Sequence, residues 1–338
     1  MKFDFDATGA GSLPFKDAQE ACRVVFDNFK TIPFWPQLPR RTFLEHMYVQ
    51  FSERLPGAVV DEAAKTIHID TNKVAGEIEQ VYEKYLDGDI DFFRISEDRA
   101  QGLYRFLESL DGGKNDIKFV KGHVTGPISF ALFLTDQNKK SVIYDKDLFE
   151  VLSKLLVMKT RWQIKKLKEK FPRVIIFIDE PYLVSIGSSF VNVNMEDAGR
   201  KLDELIGAVK EAGALCGVHC CGNTDWSYLL KRGIDILNFD TYNFMKEFLL
   251  YTSDIKNFLA GGGTIAWGII PTSDGIDRET KKSLVDRLKD DMALLAAKGV
   301  ERDALSSIVT PSCGLGVLDE DRARRIVELV RKVSNELG

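Results

Sequence analysis

The chain contains few cysteines and histidines for its length. Its 338 residues include five cysteines and four histidines. A disulfide framework is typical of short secreted chains with an even number of cysteines, so an odd number in a long chain argues against one. The N-terminal residues also lack the apolar stretch of a signal peptide. We therefore expect a cytoplasmic protein in which clustered cysteine and histidine bind a metal or take part in catalysis.

Long apolar runs and an excess of basic residues are also missing. No apolar run approaches the roughly 18 residues that span a bilayer. The formal net charge is -5, which provides no general basic field for nucleic acid. With 44% hydrophobic and 29% charged residues, the composition is typical of a soluble globular protein. We expect neither a membrane nor a nucleic acid as a partner.

Apolar, β-rich runs alternate with amphipathic helical stretches along the chain. This alternation is typical of βα units that build a parallel sheet. About eight such units suit a (β/α)8 TIM barrel. The predicted strands are 7–13, 92–95, 117–123, 174–178, 215–221, 234–239, 264–268 and 307–310.

One region interrupts the alternation after the first βα unit. Residues 32–41 are irregular and proline-rich, and residues 65–70 alternate polar and apolar side chains as a small hairpin strand would. We interpret roughly residues 32–75 as an insertion in a single barrel domain that spans residues 1–338. The main alternative is a doubly wound open sheet. It is less favoured because Pro14 stands where the helix of a dinucleotide-binding fingerprint should begin.

Polar residues stand at the carboxyl ends of the predicted strands. In (β/α)8 barrels, active sites are built at these ends. The strand-end residues are therefore candidates for a functional site: Ser12, His123, Asp179, His219, Cys221, Asp240 and Cys313.

Three of these residues form a candidate metal site. His219 and Cys221 are two apart in a strand, so their side chains project to the same face. Cys313 ends the last predicted strand and would face the same barrel mouth. Imidazole and thiolate are favoured ligands of zinc. Asp240, in the neighbouring strand, could be a fourth ligand or could orient His219. The other cysteines are predicted to be core residues: Cys22, Cys216 and Cys220.

This ligand set favours a particular chemistry. One histidine and two cysteines leave a position open, which is typical of a catalytic zinc site. Zinc with two thiolate ligands carries little net charge and is a modest Lewis acid toward water. It suits a thiol, which coordination deprotonates at neutral pH. The sequence thus predicts an enzyme that activates a thiol as a nucleophile.

Four motifs resemble the superfamily of cobalamin-independent methionine synthase. They are 125–129 (TGPIS), 178–181 (IDEP), 219–224 (HCCGNT) and 311–315 (PSCGL). The superfamily also contains uroporphyrinogen decarboxylase and the methylcorrinoid:coenzyme M methyltransferases, and its fold is a (β/α)8 barrel. The resemblance extends over essentially the whole chain. It implies that His219, Cys221 and Cys313 bind zinc, together with a strand-end acid that is usually Glu and is Asp240 here.

The resemblance also implies a substrate site. Asp179 matches the aspartate that holds the amino group of homocysteine. Gly11 and Ser12 match the Gly-Ser pair that touches the homocysteine backbone. His123, at another strand end, is either a further substrate contact or a structural histidine.

The implied activity is zinc-dependent transfer of a methyl group to a thiol. Methionine synthase of full length has an additional N-terminal barrel that helps bind folate, and this chain matches the catalytic half. The resemblance therefore implies a methylcorrinoid donor, either methylcobalamin or a corrinoid partner protein, with homocysteine as the acceptor and methionine as the product. Coenzyme M is the second candidate acceptor. Two further hypotheses are a lyase like uroporphyrinogen decarboxylase, with Arg40 and Arg41 on substrate carboxylates, and a non-catalytic zinc- or corrinoid-binding module.

Overall fold

The computed structural model describes residues 2–111, 116–186, 191–300 and 305–338, which contain nine strands and eleven α-helices. The strands are β1 (Asp4–Ala7), β2 (Ala58–Asp61), β3 (Thr66–Ile69), β4 (Val120–Thr125), β5 (Val174–Asp179), β6 (Leu215–Cys220), β7 (Ile236–Phe239), β8 (Thr264–Ile270) and β9 (Ser306–Pro311). The helices are α1 (Ala18–Asn28), α2 (Thr71–Leu86), α3 (Gln101–Leu110), α4 (Pro127–Phe133), α5 (Lys146–Lys168), α6 (Met195–Glu211), α7 (Trp226–Leu230), α8 (Thr241–Phe248), α9 (Thr252–Ala260), α10 (Lys281–Ala297) and α11 (Glu320–Leu337).

Seven of the strands form one parallel sheet. Its order is β1-β9-β8-β7-β6-β5-β4, so consecutive strands are neighbours and the first strand pairs with the last. Parallel pairing requires a crossover, and helices provide it along most of the chain. The sheet is curled, because side chains from strands far apart in the order meet in one enclosed cluster. This cluster contains Phe3, Ile32, Phe119, Ile175, Phe177, Ile236, Ala266 and Ile308.

An irregular segment, residues 31–37, lies between the two outer strands of this sheet. On one side, the Lys121 N–H of β4 donates to the Pro33 carbonyl at 2.8 Å. On the other side, the Gln37 N–H donates to the Gly11 carbonyl at 3.1 Å, just after β1. Two prolines in the segment remove backbone donors, which prevents a regular ladder. The start predicted for the insertion, residue 32, falls inside this segment.

The strand predicted at residues 92–95 is wrong. Turns replace it, with the Phe93 N–H donating to the Ile90 carbonyl at 3.1 Å. Phe93 and Ile95 are nevertheless fully buried. A short apolar run shows that residues are buried but does not distinguish a strand from a buried turn. The hairpin strand predicted at 65–70 is confirmed, because β2 and β3 form an antiparallel pair.

The helices follow the predicted apolar stripes. Five apolar residues recur at helical spacing in the sequence and predict the inner face of a long helix. They lie in α5 and are all buried: Leu148, Leu152, Leu155, Met158 and Trp162. Burial of each leucine or methionine side chain contributes about 1.5–3 kcal/mol. The sequence also predicts Asn194, which precedes an apolar stripe, as a helix N-cap. Asn194 is the N-cap of α6, because its side chain accepts from the N–H groups of Glu196 and Asp197. Among the helices of the described ranges, none has the length and apolar character needed to cross a membrane.

Candidate metal centre

A cavity of about 240 Å³ opens at the carboxyl ends of the parallel strands. This is the edge of the sheet where the sequence pattern predicts the functional site. Of the eight predicted site residues, all but Asp240 line the cavity: Gly11, Ser12, His123, Asp179, His219, Cys221 and Cys313.

Three of the lining residues form a compact group of metal ligands, which we call the His-Cys-Cys group. His219 lies in β6, Cys221 follows that strand, and Cys313 follows β9. One potential ligand atom from each lies within 4.8 Å of the other two. Around a tetrahedral zinc with Zn–S bonds of about 2.3 Å, the sulfurs lie about 3.8 Å apart. The donor types and their spacing therefore fit a zinc ion.

The two thiols of this group are electrostatically unequal. Hydrogen bonds from Cys313 and His219 lower the pKa of Cys221 despite its burial. The same contact with Cys221, together with burial, raises the pKa of Cys313 well above its usual value. Burial has the largest effect on the pKa of His219 and lowers it, but the contact with Cys221, the charge of Asp179 and the hydrogen bond to Asn238 together raise that pKa above its usual value. Without a metal, the group thus holds one thiolate stabilised by its neighbours. A divalent cation would stabilise the second.

Sequence reasoning missed Asn238, which contacts the imidazole. Asn238 lies in β7 directly opposite His219. Its Oδ1 is 2.7 Å from His219 Nδ1. The sequence signal that could have identified Asn238 is an amide within an otherwise apolar strand. Such a side chain is buried, as the structure shows for Asn238, and a buried polar side chain needs a partner.

Asp240, predicted either as a fourth ligand or as a residue that orients His219, lies outside the His-Cys-Cys group. One carboxylate oxygen accepts from the Asn243 N–H at 3.0 Å, and the other accepts from Asn243 Nδ2 at 2.7 Å. Asp240 is therefore the N-cap of α8, a position that favours aspartate. The side chain that contacts Nδ1 of His219 is that of Asn238.

Asp179 presents an open acceptor to the cavity. It ends β5 and pairs in register with His219. Its Oδ1 is buried and has no hydrogen-bond partner among the described residues. Burial raises the pKa of Asp179 to about 6, although the charges of His219 and Lys121 oppose the rise. A buried carboxylate oxygen without a donor suits a ligand that brings one.

His123 also presents unpaired polar atoms to the cavity. Its side chain is 2% exposed, and neither ring nitrogen has a hydrogen-bond partner in the described ranges. The ring stacks on Trp35 with centroids 3.9 Å apart. Burial and the charge of Lys121 lower its pKa well below the usual value, so the imidazole is neutral at pH 7. Buried ring nitrogens without a partner are available to a ligand that brings hydrogen-bonding groups.

Gly11 and Ser12 shape one wall of the cavity. A Cβ at position 11 would lie 2.8 Å from His123 Nδ1, so the close approach requires glycine. The Ser12 hydroxyl accepts from the Gly316 N–H at 3.2 Å, and the Ser12 carbonyl accepts from the Leu315 N–H at 2.9 Å. Ser12 therefore connects this wall to the loop that follows Cys313.

Glu180 belongs to the 178–181 motif, but the sequence predicts no role for it in the site. Its carboxylate accepts from the Ile128 N–H at 3.0 Å, the Ser129 N–H at 2.7 Å and the Ser129 hydroxyl at 2.6 Å. Its own N–H donates to the His219 carbonyl at 2.8 Å. Burial raises the pKa of Glu180 to about 7. The residue thus connects the start of α4 to the strand that carries the imidazole.

The cysteines outside the His-Cys-Cys group are buried, as predicted. Cys22, Cys216 and Cys220 are each at most 1% exposed. Burial raises the pKa of Cys216 and that of Cys220, so both stay protonated at neutral pH.

No protein-family model matches the chain, and no curated protein matches it. Among solved structures, the chain is similar to a B12-independent methionine synthase from Shewanella sp. W3-18-1 in complex with selenomethionine, with 19% sequence identity and a TM-score of 0.45. The match covers 68% of this chain and 66% of the synthase, just under two thirds of its length. A similarity at this level assigns neither a family nor an activity.

Proposed function

We propose that this chain is an enzyme, a zinc-dependent S-methyltransferase that acts on a thiol. One observation carries the proposal: an imidazole and two sulfurs lie within 4.8 Å of one another at the wall of a cavity. Three protein ligands leave a position for an exogenous ligand, which distinguishes a catalytic zinc site from a structural one. Zinc, when bound there, deprotonates a coordinating thiol at neutral pH.

The acceptor that fits the cavity is a thiol that also carries an amine. Asp179 offers a buried oxygen without a donor, which suits an ammonium group. His123 offers a neutral imidazole nearby, and Gly11 and Ser12 form the adjoining wall. We propose homocysteine as the acceptor and methionine as the product, with Asp179 holding the amino group.

Coenzyme M is the less favoured acceptor. Its sulfonate is an anion that calls for cationic partners, and the cavity wall, as far as the structure describes it, includes neither lysine nor arginine. The same sulfonate would share the cavity with Asp179, whose charge repels it.

The donor is proposed on the motif resemblance alone. We propose a methylcorrinoid, either methylcobalamin or the cofactor of a corrinoid partner protein. For the fold, we propose that the curled sheet and the 31–37 segment together form a (β/α)8 barrel in a single domain, residues 1–338. The insertion after the first βα unit then begins beyond that segment.

A lyase of the uroporphyrinogen decarboxylase kind is less favoured. Such a site needs free arginines for the carboxylates of a tetrapyrrole. Arg41 pairs with Glu45 and also donates to the Asp98 carbonyl at 2.6 Å, and Arg40 donates to the Val317 carbonyl at 2.8 Å. Neither arginine lines the cavity.

The test offers methylcobalamin with homocysteine, and separately with coenzyme M, to the purified chain. We expect loss of the cob(III)alamin methyl absorbance and formation of methionine with homocysteine. Treatment with a chelator should stop the reaction, and added zinc should restore it. A porphyrinogen is offered separately to test the lyase hypothesis, and we expect no turnover of it. Undiminished methyl transfer by the metal-free protein would refute the proposal. It would also be refuted if the zinc-loaded protein transferred a methyl group to neither thiol, whether the donor is methylcobalamin or a methylated corrinoid protein.

A further inference from the structure

Asn238 is held by three hydrogen bonds that link four neighbouring strands. Its Oδ1 lies 2.7 Å from His219 Nδ1 in β6. Its Nδ2 donates to the Ala266 carbonyl of β8 at 2.9 Å and to the Thr310 hydroxyl of β9 at 2.8 Å. Asn238 and Thr310 are fully buried, and His219 is 4% exposed. Water therefore does not compete for these bonds.

The surroundings permit one orientation of the Asn238 amide. The Ala266 carbonyl can only accept a hydrogen bond, so the amide nitrogen has to face it. Oδ1 then faces His219, and an amide oxygen can only accept. The nitrogen opposite it, His219 Nδ1, must carry the proton. This leaves the lone pair of the neutral ring on Nε2.

We propose that Asn238 is a positioning residue that selects the Nδ1–H tautomer of His219 and presents Nε2 to the two sulfurs. The inference rests on the proposed function, because it concerns how the chain prepares a metal ligand. Groups that hydrogen-bond to a ligating histidine fix its tautomer and its ring orientation. The same amide bonds to Thr310, three residues before Cys313, so one buried network aligns the strands that carry the imidazole and one sulfur.

An uncharged amide is better suited than a carboxylate to accept the hydrogen bond from His219. A divalent ion with two thiolates is neutral overall. A carboxylate at position 238 would add a buried negative charge beside that centre, and burial penalises such a charge. An amide accepts the same hydrogen bond from His219 without the charge.

The first test measures zinc affinity by competition with a chromophoric chelator. We expect Asn238→Leu to bind zinc about 10- to 100-fold more weakly than the wild type. In a His219→Ala background, the same change should cause no further loss, because Asn238 acts through the imidazole. Thr264→Val is the matched control: it removes a buried hydroxyl in β8 that bonds to Ser306 at 2.9 Å, outside the centre. Its zinc affinity should equal that of the wild type.

Thr310→Val provides a second variant in case Asn238→Leu does not fold. It removes one of the two groups that fix the amide, so we expect a smaller loss of affinity that again disappears in the His219→Ala background. Wild-type affinity in each variant that folds would overturn the inference. So would losses of equal size with and without His219.

The second test observes the tautomer directly. The chain has four histidines, so ¹⁵N-histidine labelling gives a simple spectrum. In protein loaded with ¹¹³Cd, we expect one imidazole to show metal coupling through Nε2 and to keep a proton on Nδ1. Metal coupling through Nδ1 would overturn this inference and would leave the proposed function unaffected. A wild-type chain that binds neither zinc nor cadmium would overturn the proposed function as well, so the two failures are distinguishable.

Discussion

At the scale of single residues, the central feature is the unequal pair of thiols. Cys221 has a lowered pKa because Cys313 and His219 both stabilise its thiolate, whereas Cys313 keeps its proton. Cys313 would have to lose that remaining proton for both sulfurs to bind one metal ion. Removal of either sulfur should therefore weaken the site far more than removal of a buried thiol elsewhere.

This leads to a prediction for zinc content. Wild-type protein should bind about one zinc per chain, and Cys313→Ser should lose most of it because zinc prefers thiolate to hydroxyl ligands. Elemental analysis of the dialysed proteins measures this. Cys216→Ser, at a buried cysteine outside the His-Cys-Cys group, is the control and should keep its zinc. Undiminished zinc in Cys313→Ser would exclude the ligand set.

Asp179 leads to a prediction for substrate binding. Asp179→Asn should raise the KM for homocysteine about tenfold or more, because a hydrogen bond to a charged group contributes about 1.5–3 kcal/mol. Zinc content should stay close to the wild-type value, since Asp179 is not in the His-Cys-Cys group. Steady-state kinetics and elemental analysis separate the two effects. An unchanged KM would exclude the amine contact.

The pH dependence of the same contact follows from the raised pKa. The carboxylate of Asp179 has a pKa of about 6, and its ionised form is the one that attracts an ammonium group. The KM for homocysteine should therefore rise as the pH falls through about 6, and it should be flat above pH 7. In Asp179→Asn this rise should be absent. A KM profile that is the same in both proteins would contradict the assignment.

At the scale of elements, Glu180 attaches helix α4 to the edge of the sheet beside the cavity. Burial raises its pKa from 4.5 to about 7, so the folded state binds a proton more tightly than the unfolded chain does. The stability that this proton contributes is present below pH 4.5 and is lost as the pH rises to about 7. A shift of this size corresponds to about 3 kcal/mol.

Glu180→Gln should remove this dependence. The substituted amide does not ionise, so the free energy of unfolding should fall less steeply between pH 4.5 and 7 than in the wild type. Urea unfolding at a series of pH values measures the slopes. Glu196→Gln, on the exposed start of α6, is the control and should keep the wild-type slope. Parallel slopes in wild type and Glu180→Gln would show that the carboxylate is not titrating in the folded state.

At the scale of the whole molecule, the His-Cys-Cys group joins distant parts of the chain. Cys221 follows β6 and Cys313 follows β9, so an ion bound to both connects segments about ninety residues apart. A ligand that binds the folded state and not the unfolded one stabilises the fold.

Chelation should therefore lower the thermal midpoint of the wild-type chain. We expect a decrease of a few degrees. With an unfolding entropy of about 2.1 cal/mol/K per residue, 1 kcal/mol corresponds to about 1.4 °C in a chain of 338 residues, and a ligand at 100 to 1,000 times its Kd contributes about 3–4 kcal/mol. Differential scanning fluorimetry with and without chelator measures the shift. Cys313→Ser, which should already lack the metal, should show little shift. An equal shift in both proteins would mean that the chelator acts elsewhere.

Much of the fold and most of the site could be predicted from the sequence. The spacing of His219 and Cys221 and the strand-end positions of Asp179 and Cys313 depend on local chain geometry, because a strand's period and its direction are local properties. The stripe along α5 and the Asn194 cap are local in the same sense.

Other features depended on the tertiary structure. Phe93 and Ile95 are apolar and fully buried, yet this segment forms turns where it packs against the core. The 31–37 segment is bonded to chain segments on both sides, and no local pattern indicates those partners. Asp240 caps a helix, whereas Asn238 contacts His219. The strand register and the direction of each side chain decide which of these two polar residues reaches the imidazole ring. Local sequence therefore specifies the donor atoms and the strands that carry them, whereas folding decides which atoms meet.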